Sequence, residues 1–297
     1  MKAKRSFLLY SCLWIQGLIF FYIAYKRNKD KKIMIIHFFT LTGLAYIFEY
    51  IVLVLLKAYR YYPKFFKRVY FDNILGASIS QFFIVPAIAT FITNFKLKIH
   101  WKLFFSGYLM IIEIIFKKLK IYKQFWWKTI YTGVFTIVFF LFSDYFYKSL
   151  YRIGDKPLLK GITVFLKSFT LYSTYMFYLV VLFNAYFFKV PWFKDGARGH
   201  IAFATLYSLF ISVLYTAIFV LRKKWVMVAS IGALFSLDKI LVELNVLKLK
   251  YNKSIIRNNL QRGLLLSLLY MFDDHLYKEE VRDQEEGETV SQPSVVS

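Results

Sequence analysis

The chain has 297 residues, of which 59% are hydrophobic and 22% are aromatic, and its mean hydropathy is +0.49. This composition excludes an ordinary soluble globular protein, in which about half of the residues are apolar. The net charge of +23 is compatible with nucleic-acid binding, but the basic residues lie in short segments between apolar runs, and the sequence contains no zinc-finger pattern or glycine-rich phosphate loop. We therefore predict a membrane protein whose basic loops contact anionic lipid headgroups and which binds no nucleic acid.

Nine apolar runs predict membrane-spanning helices, because about 20 helical residues cross the hydrocarbon core of a bilayer. The predicted spans are residues 7–25, 33–56, 72–95, 101–116, 129–147, 161–188, 200–221, 225–247 and 260–277. The fourth run is short and the eighth contains three charged residues, so an interfacial or re-entrant helix is an alternative for each. The first run follows a basic N-terminus without a small-residue cleavage site, and we interpret it as an uncleaved helix rather than a signal peptide.

An internal repeat is indicated by two segments of similar sequence. Residues 111–148 align with residues 241–278 without a gap, and ten of the 38 aligned positions are identical. The alignment pairs Glu113 with Glu243 and Asp144 with Asp274. We interpret the repeat as a duplication of a four-helix unit. An even number of crossings makes the two units parallel, related by an axis along the membrane normal.

The predicted fold is an all-α polytopic transmembrane bundle of about nine spans, built from two parallel four-helix repeats and an N-terminal helix. Its predicted parts are an N-terminal membrane helix in residues 1–32, a first repeat in 33–148, a linker in 149–160, a second repeat in 161–278 and a disordered acidic tail in 279–297.

Residues 83–148 carry a set of features that resembles a known family. The features are Val85-Pro86 in an apolar span that ends in Thr93-Asn94-Phe95, the Ile112-Glu113 pair, Tyr122 followed by Trp126-Trp127, and the aromatic and basic exit Tyr145–Lys148. They resemble an uncharacterised family of small multi-pass membrane proteins of spore-forming Firmicutes, here apparently duplicated. The second copy departs from the pattern, with Thr216 at the proline position and Ile256-Arg257 at the tryptophan pair. The resemblance implies the bacterial cytoplasmic membrane and brings no activity with it.

Carboxylates inside apolar runs are the candidate functional residues, because an acid in hydrocarbon is costly and is usually retained for a function. Asp144 and Asp274 each precede a lysine by four residues, so we interpret them as ion pairs at the membrane edge. Glu113 and Glu243 recur at the repeat spacing, whereas the positions of their neighbouring lysines do not. We predict that Glu113 and Glu243, with the isolated Glu49, form a transport or ion site. A helix–helix contact within each repeat is the alternative.

Lys167 and Asp238 are secondary candidates. Lys167 is an isolated base in the sixth run, and either pairing with Glu49 or Asp238 across helices or snorkelling to the surface would accommodate it. The four histidines are scattered, and no His-Glu-x-x-His or Gly-x-Ser-x-Gly motif is present. We therefore predict no catalytic residue, no metal ligand and no cofactor.

Three functions are compatible with these patterns. The leading hypothesis is passage or sensing of a small solute or cation across the cytoplasmic membrane by buried carboxylates. The alternative is a non-transporting structural or assembly protein in which the acids fix the helix packing. A membrane-embedded enzyme is third, because the sequence shows no combination of nucleophile and base.

Overall fold

The computed structural model of the protein describes residues 2–151 and 156–249, together with Gly263, Leu264, Ser267 and Leu269. Within these residues, eight helices are long and apolar enough to cross a membrane. They are α1 (Lys2–Arg27), α2 (Lys31–Leu55), α3 (Val69–Asn94), α4 (Ile99–Lys118), α5 (Thr129–Leu150), α6 (Pro157–Phe183), α7 (Gly196–Leu221) and α8 (Lys224–Glu243). The first eight predicted spans each fall on one of these helices. Apart from those four residues, the predicted ninth span lies outside the described part of the chain, as does the predicted acidic tail.

Two of the helices change from α-helical to π-helical geometry along their length. Tyr50–Leu55 form a π-helical end of α2, and Ile79–Ile84 form a π-helical segment in the middle of α3. A π segment changes the direction of the side chains around it and often occurs at a functional site. Glu49 immediately precedes the first segment and accepts a hydrogen bond from Gln81 in the second.

Two short antiparallel strand pairs lie at one end of the helix bundle. The strand β1 (Tyr59–Tyr61) pairs with β2 (Tyr122–Gln124), and β3 (Tyr186–Phe188) pairs with β4 (Leu247–Leu249). The N-terminal part of α1 lies at the same end, since Tyr10 Oη donates to the carbonyl oxygen of Ile121 at 3.0 Å. The start of α7 lies there too, because Arg198 Nε donates to the carbonyl oxygen of Val54 at 2.8 Å. We call this the strand end of the bundle.

Two predicted span boundaries are wrong, because short strands follow helices that end earlier than predicted. The sixth and eighth predicted spans ended at residues 188 and 247, but their helices end at Phe183 and Glu243. Asn184 and Asn245 follow these helices in the left-handed conformation, with φ of 51° and 56°, and this conformation commonly ends a helix. The apolar residues beyond them form strands, which hydropathy alone does not distinguish from further helix.

The helix α2 lies at the centre of the fold and packs against α3, α5, α6 and α7. Its closest neighbour is α6, because Gly43 lets the two backbones meet. A Cβ atom at Gly43 would overlap the carbonyl oxygen of Leu166, and Thr170 Oγ1 donates to the carbonyl oxygen of Phe39 at 2.9 Å in the same contact. Small residues allow close helix packing of this kind in apolar surroundings. The contact joins residues 2–151, the first half, to residues 156–249, the second half.

The order of elements is the same in the two halves after α1. The elements α2, β1, α3, α4 and β2 of the first half are followed in the second half by α6, β3, α7, α8 and β4. In both halves the second strand pairs with the first. The first half continues with α5, whereas the second half is described only as far as β4, apart from four later residues.

Candidate functional site

Glu49 is buried near the strand end, with 6% of its surface exposed. Its Oε2 atom accepts hydrogen bonds from Tyr59 Oη at 2.6 Å and from Gln81 Nε2 at 3.0 Å. Its Oε1 atom is buried and has no hydrogen-bond partner among the described residues. A buried carboxyl oxygen without a donor is unfavourable by about 1–3 kcal/mol, so it is a candidate to bind a proton or a ligand.

Glu113 projects from α4 toward the start of α5. Its Oε1 atom accepts from Gln124 Nε2 and its Oε2 atom from Thr132 Oγ1, both at 2.5 Å. Thr132 Oγ1 in turn accepts from Trp127 Nε1 at 2.8 Å. Strand β2 and the segment that follows it therefore hold this carboxylate in one orientation. No lysine or arginine of the described residues forms an ion pair with Glu49 or Glu113.

A cluster of aromatic rings lies near both carboxylates. We call Tyr10, Tyr59, Tyr61, Tyr122 and Trp127 the aromatic cluster. The rings of Tyr59, Tyr61 and Tyr122 lie 5.1–5.5 Å from one another, and Trp127 lies 5.4 Å from Tyr59. Burial raises the pKa of the Tyr61 and Tyr122 hydroxyls far above the ordinary value, and the charges of Glu49 and Glu113 raise it further. These phenols therefore stay protonated and neutral at physiological pH.

A cavity of about 460 Å³ opens beside the aromatic cluster and lies entirely within the first half. Glu113, Thr132 and the aromatic cluster line its polar end, and apolar side chains such as Leu109, Phe139 and Phe142 line the remainder. A second cavity of about 130 Å³ lies between the halves and is lined by Glu49. Gln81 lines both cavities. Cavities of several hundred Å³ with a few polar groups at one end are typical of small-molecule sites.

Asp144 is also held by a partner that sequence spacing did not predict. The structure pairs it with Lys102 of α4 at 2.7 Å rather than with Lys148 of its own helix. Thr93 Oγ1 donates to the second carboxylate oxygen at 2.7 Å and also contacts Ser143 Oγ at 2.8 Å. The predicted pair with Lys148 is wrong because Lys102 is buried, with 4% of its surface exposed, and reaches the carboxylate from the neighbouring helix. Asp274 lies outside the described residues.

Glu243 differs from the prediction in burial and in position. Its side chain is 64% exposed and lies 3.9 Å from the Nζ atom of Lys239, so it is a surface ion pair at the end of α8. Asp238 is fully buried, and Tyr207 Oη donates to its Oδ1 atom. Helices α4 and α8 have the same length, and the element order places Glu113 opposite Asp238 rather than Glu243. The structure therefore does not bring Glu243 together with Glu49 and Glu113.

Lys167 is buried in α6, with 3% of its surface exposed. It does not pair with Glu49, whose hydrogen bonds come from Tyr59 and Gln81. Burial also contradicts the alternative in which the amine snorkels to the surface.

Sequence reasoning missed the hydrogen-bond donors of the site, Tyr59, Gln81, Gln124 and Thr132. They come from two strands, a π-helical segment and a helix start, and no spacing rule relates these to a glutamate in another helix. One signal was available, because Ala58-Tyr59 has a counterpart in Ala185-Tyr186. No group of three or more His, Cys, Asp or Glu side chains among the described residues could hold a metal ion.

No protein-family model matches the chain, and no similar curated protein or solved structure was found.

Proposed function

We propose that the chain is a multi-pass protein of the bacterial cytoplasmic membrane that binds a small cation inside its first half, for passage or sensing. The eight long apolar helices and the basic segments between them support the membrane location and contacts with anionic headgroups. The observation that carries the cation site is Glu113, a carboxylate on the wall of the large cavity that forms no ion pair with a described basic side chain. The charge of Lys117, one helical turn away, acts on Glu113 without forming an ion pair, and a cation in the cavity would supply a closer counter-charge.

Duplication of a four-helix unit is part of this proposal. The two copies correspond at a different offset along the chain from the one used in the ungapped alignment of residues 111–148 with 241–278. Left-handed residues end the corresponding helices at Lys57 and Asn184, at Lys96 and Arg222, and at Lys120 and Asn245. The two residues of each pair are nearly the same number of positions apart in all three pairs. That number is smaller than the number of positions between Glu113 and Glu243.

Backbone hydrogen bonds to side chains recur in this register. Tyr61 and Phe188 have the same separation as Lys57 and Asn184. The N–H group of Tyr61 donates to Asn73 Oδ1 at 2.7 Å, and the N–H group of Phe188 donates to His200 Nδ1 at 2.9 Å. The first strand of each pair is therefore fixed to the helix that follows it in the same way.

The same register supports a ninth crossing. In the first half, α5 follows β2 and returns from the strand end to the opposite end, where Asn28 Nδ2 donates to Tyr147 Oη at 2.7 Å. The predicted span 260–277 follows β4 in the same order and would complete the second unit. Two units of four crossings each are parallel.

Flux measurements test the cation function. The intact chain is reconstituted in proteoliposomes of anionic lipid, and proton, sodium and potassium flux is measured with entrapped dyes. We expect Glu113→Gln to reduce flux at least tenfold and Glu49→Gln to reduce it less, because Glu49 lines the smaller cavity. Glu243→Gln is the matched control, since it removes the same charge from an exposed position.

Sensing without flux is tested by accessibility. In a Cys12→Ser background that keeps Glu113, cysteines at position 112, which lines the large cavity, and at position 243 are labelled with a water-soluble thiol reagent in the presence and absence of each cation. Protection at position 112 alone would support a binding site. A position 112 that does not react, together with flux equal to that of empty liposomes, contradicts the proposal.

A structural role is the second candidate, and the hydrogen bonds of both acids favour it. Glu49 holds β1 through Tyr59, and Glu113 holds β2 through Gln124. If the acids serve only to fix these strands, each glutamine variant lowers the melting temperature. In that case flux and labelling do not depend on the cation.

A further inference from the structure

We propose that the cation is an amphipathic organic ammonium, with its head group against Glu113 and the aromatic cluster and its alkyl chain in the apolar part of the large cavity. This inference rests on the proposed cation function and names the class of ligand.

The shape of the cavity fits such a ligand. On α5 the lining residues run from Thr132 at the polar end to Phe142 in the apolar part, a distance of about 15 Å along a helix. The volume of about 460 Å³ is within the range of small-molecule sites. An inorganic cation that loses its hydration water requires several oxygen ligands from the protein, whereas most side chains lining this cavity are hydrocarbon.

The polar end provides what an alkylated ammonium group needs. Its positive charge is spread over methyl or methylene groups, so aromatic faces and one carboxylate solvate it without a full set of hydrogen-bond acceptors. The rings of Tyr59, Tyr61, Tyr122 and Trp127 all line the cavity together with Glu113. Because the tyrosine hydroxyls stay neutral, Glu113 supplies the negative charge among these groups.

The second half shows that the polar end is not needed to build the strand pair. At the corresponding positions, Glu49 is replaced by Met176, Tyr61 by Phe188, and Tyr122 by Leu247. Tyr186 corresponds to Tyr59, and its hydroxyl donates to the backbone carbonyl oxygen of Met176 at 3.0 Å. The β3–β4 pair forms with these mostly apolar residues, so the hydroxyls of Tyr61 and Tyr122, which line the large cavity, are better explained by a ligand than by folding. The acid is retained in the second half, since Asp238 lies opposite Glu113.

Equilibrium binding of hexyltrimethylammonium to the full chain in lipid nanodiscs tests the inference. Binding is followed by the fluorescence of Trp127, with Trp126→Phe to reduce background. We expect affinity to rise about fourfold per methylene from tetramethylammonium to hexyltrimethylammonium over the first few carbons. Glu113→Gln should weaken binding roughly ten- to a hundredfold. Tyr122→Leu, which introduces the residue found in the second half, should weaken it roughly three- to thirtyfold.

Two controls separate the site from general effects. Glu243→Gln removes a charge outside the cavity and should leave binding unchanged. The melting temperature of every variant is measured, and Tyr122→Leu, which introduces the residue found in the second half, replaces Glu113→Gln if that variant does not fold. The inference is overturned if Glu113→Gln binds as tightly as the parent, if Glu243→Gln weakens binding equally, or if the hexyl chain adds no affinity.

Flux distinguishes this inference from the proposed function. If hexyltrimethylammonium does not bind while Glu113-dependent proton, sodium or potassium flux persists, the ligand class is wrong and the cation function stands. If neither binding nor flux depends on Glu113, both are wrong.

Discussion

At the scale of single residues, the carboxylates in the apolar runs are held by groups on other elements of the fold. Glu49 accepts hydrogen bonds from Tyr59 and Gln81, and Glu113 accepts them from Gln124 and Thr132. Asp144 forms an ion pair with Lys102 and accepts a hydrogen bond from Thr93. None of these partners is a lysine one helical turn away, although Lys117 and Lys148 lie at that spacing. A lysine on the same helix turns toward the surface in apolar surroundings, while a buried acid accepts from neighbouring elements.

The ion pair between Lys102 and Asp144 yields the first prediction at this scale. Lys102 is buried and Asp144 is about a third exposed, so loss of the amine leaves a partly buried carboxylate with Thr93 as its remaining charge-stabilising donor. We expect Lys102→Met to lower the free energy of unfolding by about 2–3 kcal/mol, below the range for fully buried pairs. Thermal unfolding in one detergent, followed by tryptophan fluorescence, measures the change.

The exposed pair Lys239–Glu243 is the matched control. Its side chains are 63% and 64% exposed, so Lys239→Met should change stability by less than about 0.5 kcal/mol. The double variant Lys102→Met with Asp144→Asn should recover part of the loss. Equal effects of Lys102→Met and Lys239→Met would mean that the buried pair does not stabilise the fold.

At the scale of elements, the positions of the helices were predictable and their ends were less so. Mean hydropathy over a window of about 20 residues locates a span, because the transfer of such a run from water to hydrocarbon dominates its free energy. The boundaries depend on single residues such as Asn184 and on short strands that apolar composition does not reveal. The ungapped alignment of residues 111–148 with 241–278 paired Glu113 with the exposed Glu243, whereas the element order places Glu113 opposite the buried Asp238.

Close packing of α2 and α6 yields a prediction for this scale. A methyl group at Gly43 would overlap the carbonyl oxygen of Leu166, so Gly43→Ala must push the helices apart. We expect a loss of about 1–3 kcal/mol in the free energy of unfolding. Gly107→Ala on α4 is the control, since a Cβ atom there meets nothing within 4 Å. A melting temperature that falls equally in both variants would contradict the backbone contact.

At the scale of the whole molecule, the first half carries the polar site and the second half packs against it. Among the described residues, those that line the large cavity all lie between Tyr10 and Phe142. The two halves meet through α2 and α6, and Arg198 of the second half donates to the carbonyl oxygens of Val54 and Leu55 at 2.8 and 2.9 Å. The element order that recurs in the halves thus accompanies different chemistry in each.

A split chain tests this division. Residues 1–151 and 156–297 are produced as separate fragments in the same cells. We expect them to copurify because helix contacts and hydrogen bonds join them, and we expect Gly43→Ala to reduce copurification. The first fragment alone should retain binding of hexyltrimethylammonium within about tenfold, since every cavity residue belongs to it. Binding that requires both fragments would show that the second half contributes to the site.

The sequence by itself determined that the chain is mostly helical and apolar, and it gave the approximate place of eight helices, because both follow from composition and run length, which are local properties. It also singled out Glu49 and Glu113 as acids in apolar runs. Only the tertiary structure decided which acids line a cavity, which donors hold them and where each cavity lies. Those features depend on contacts between segments as far apart as Glu49 and Gln81 or Lys102 and Asp144, and helical spacing carries no information about such contacts.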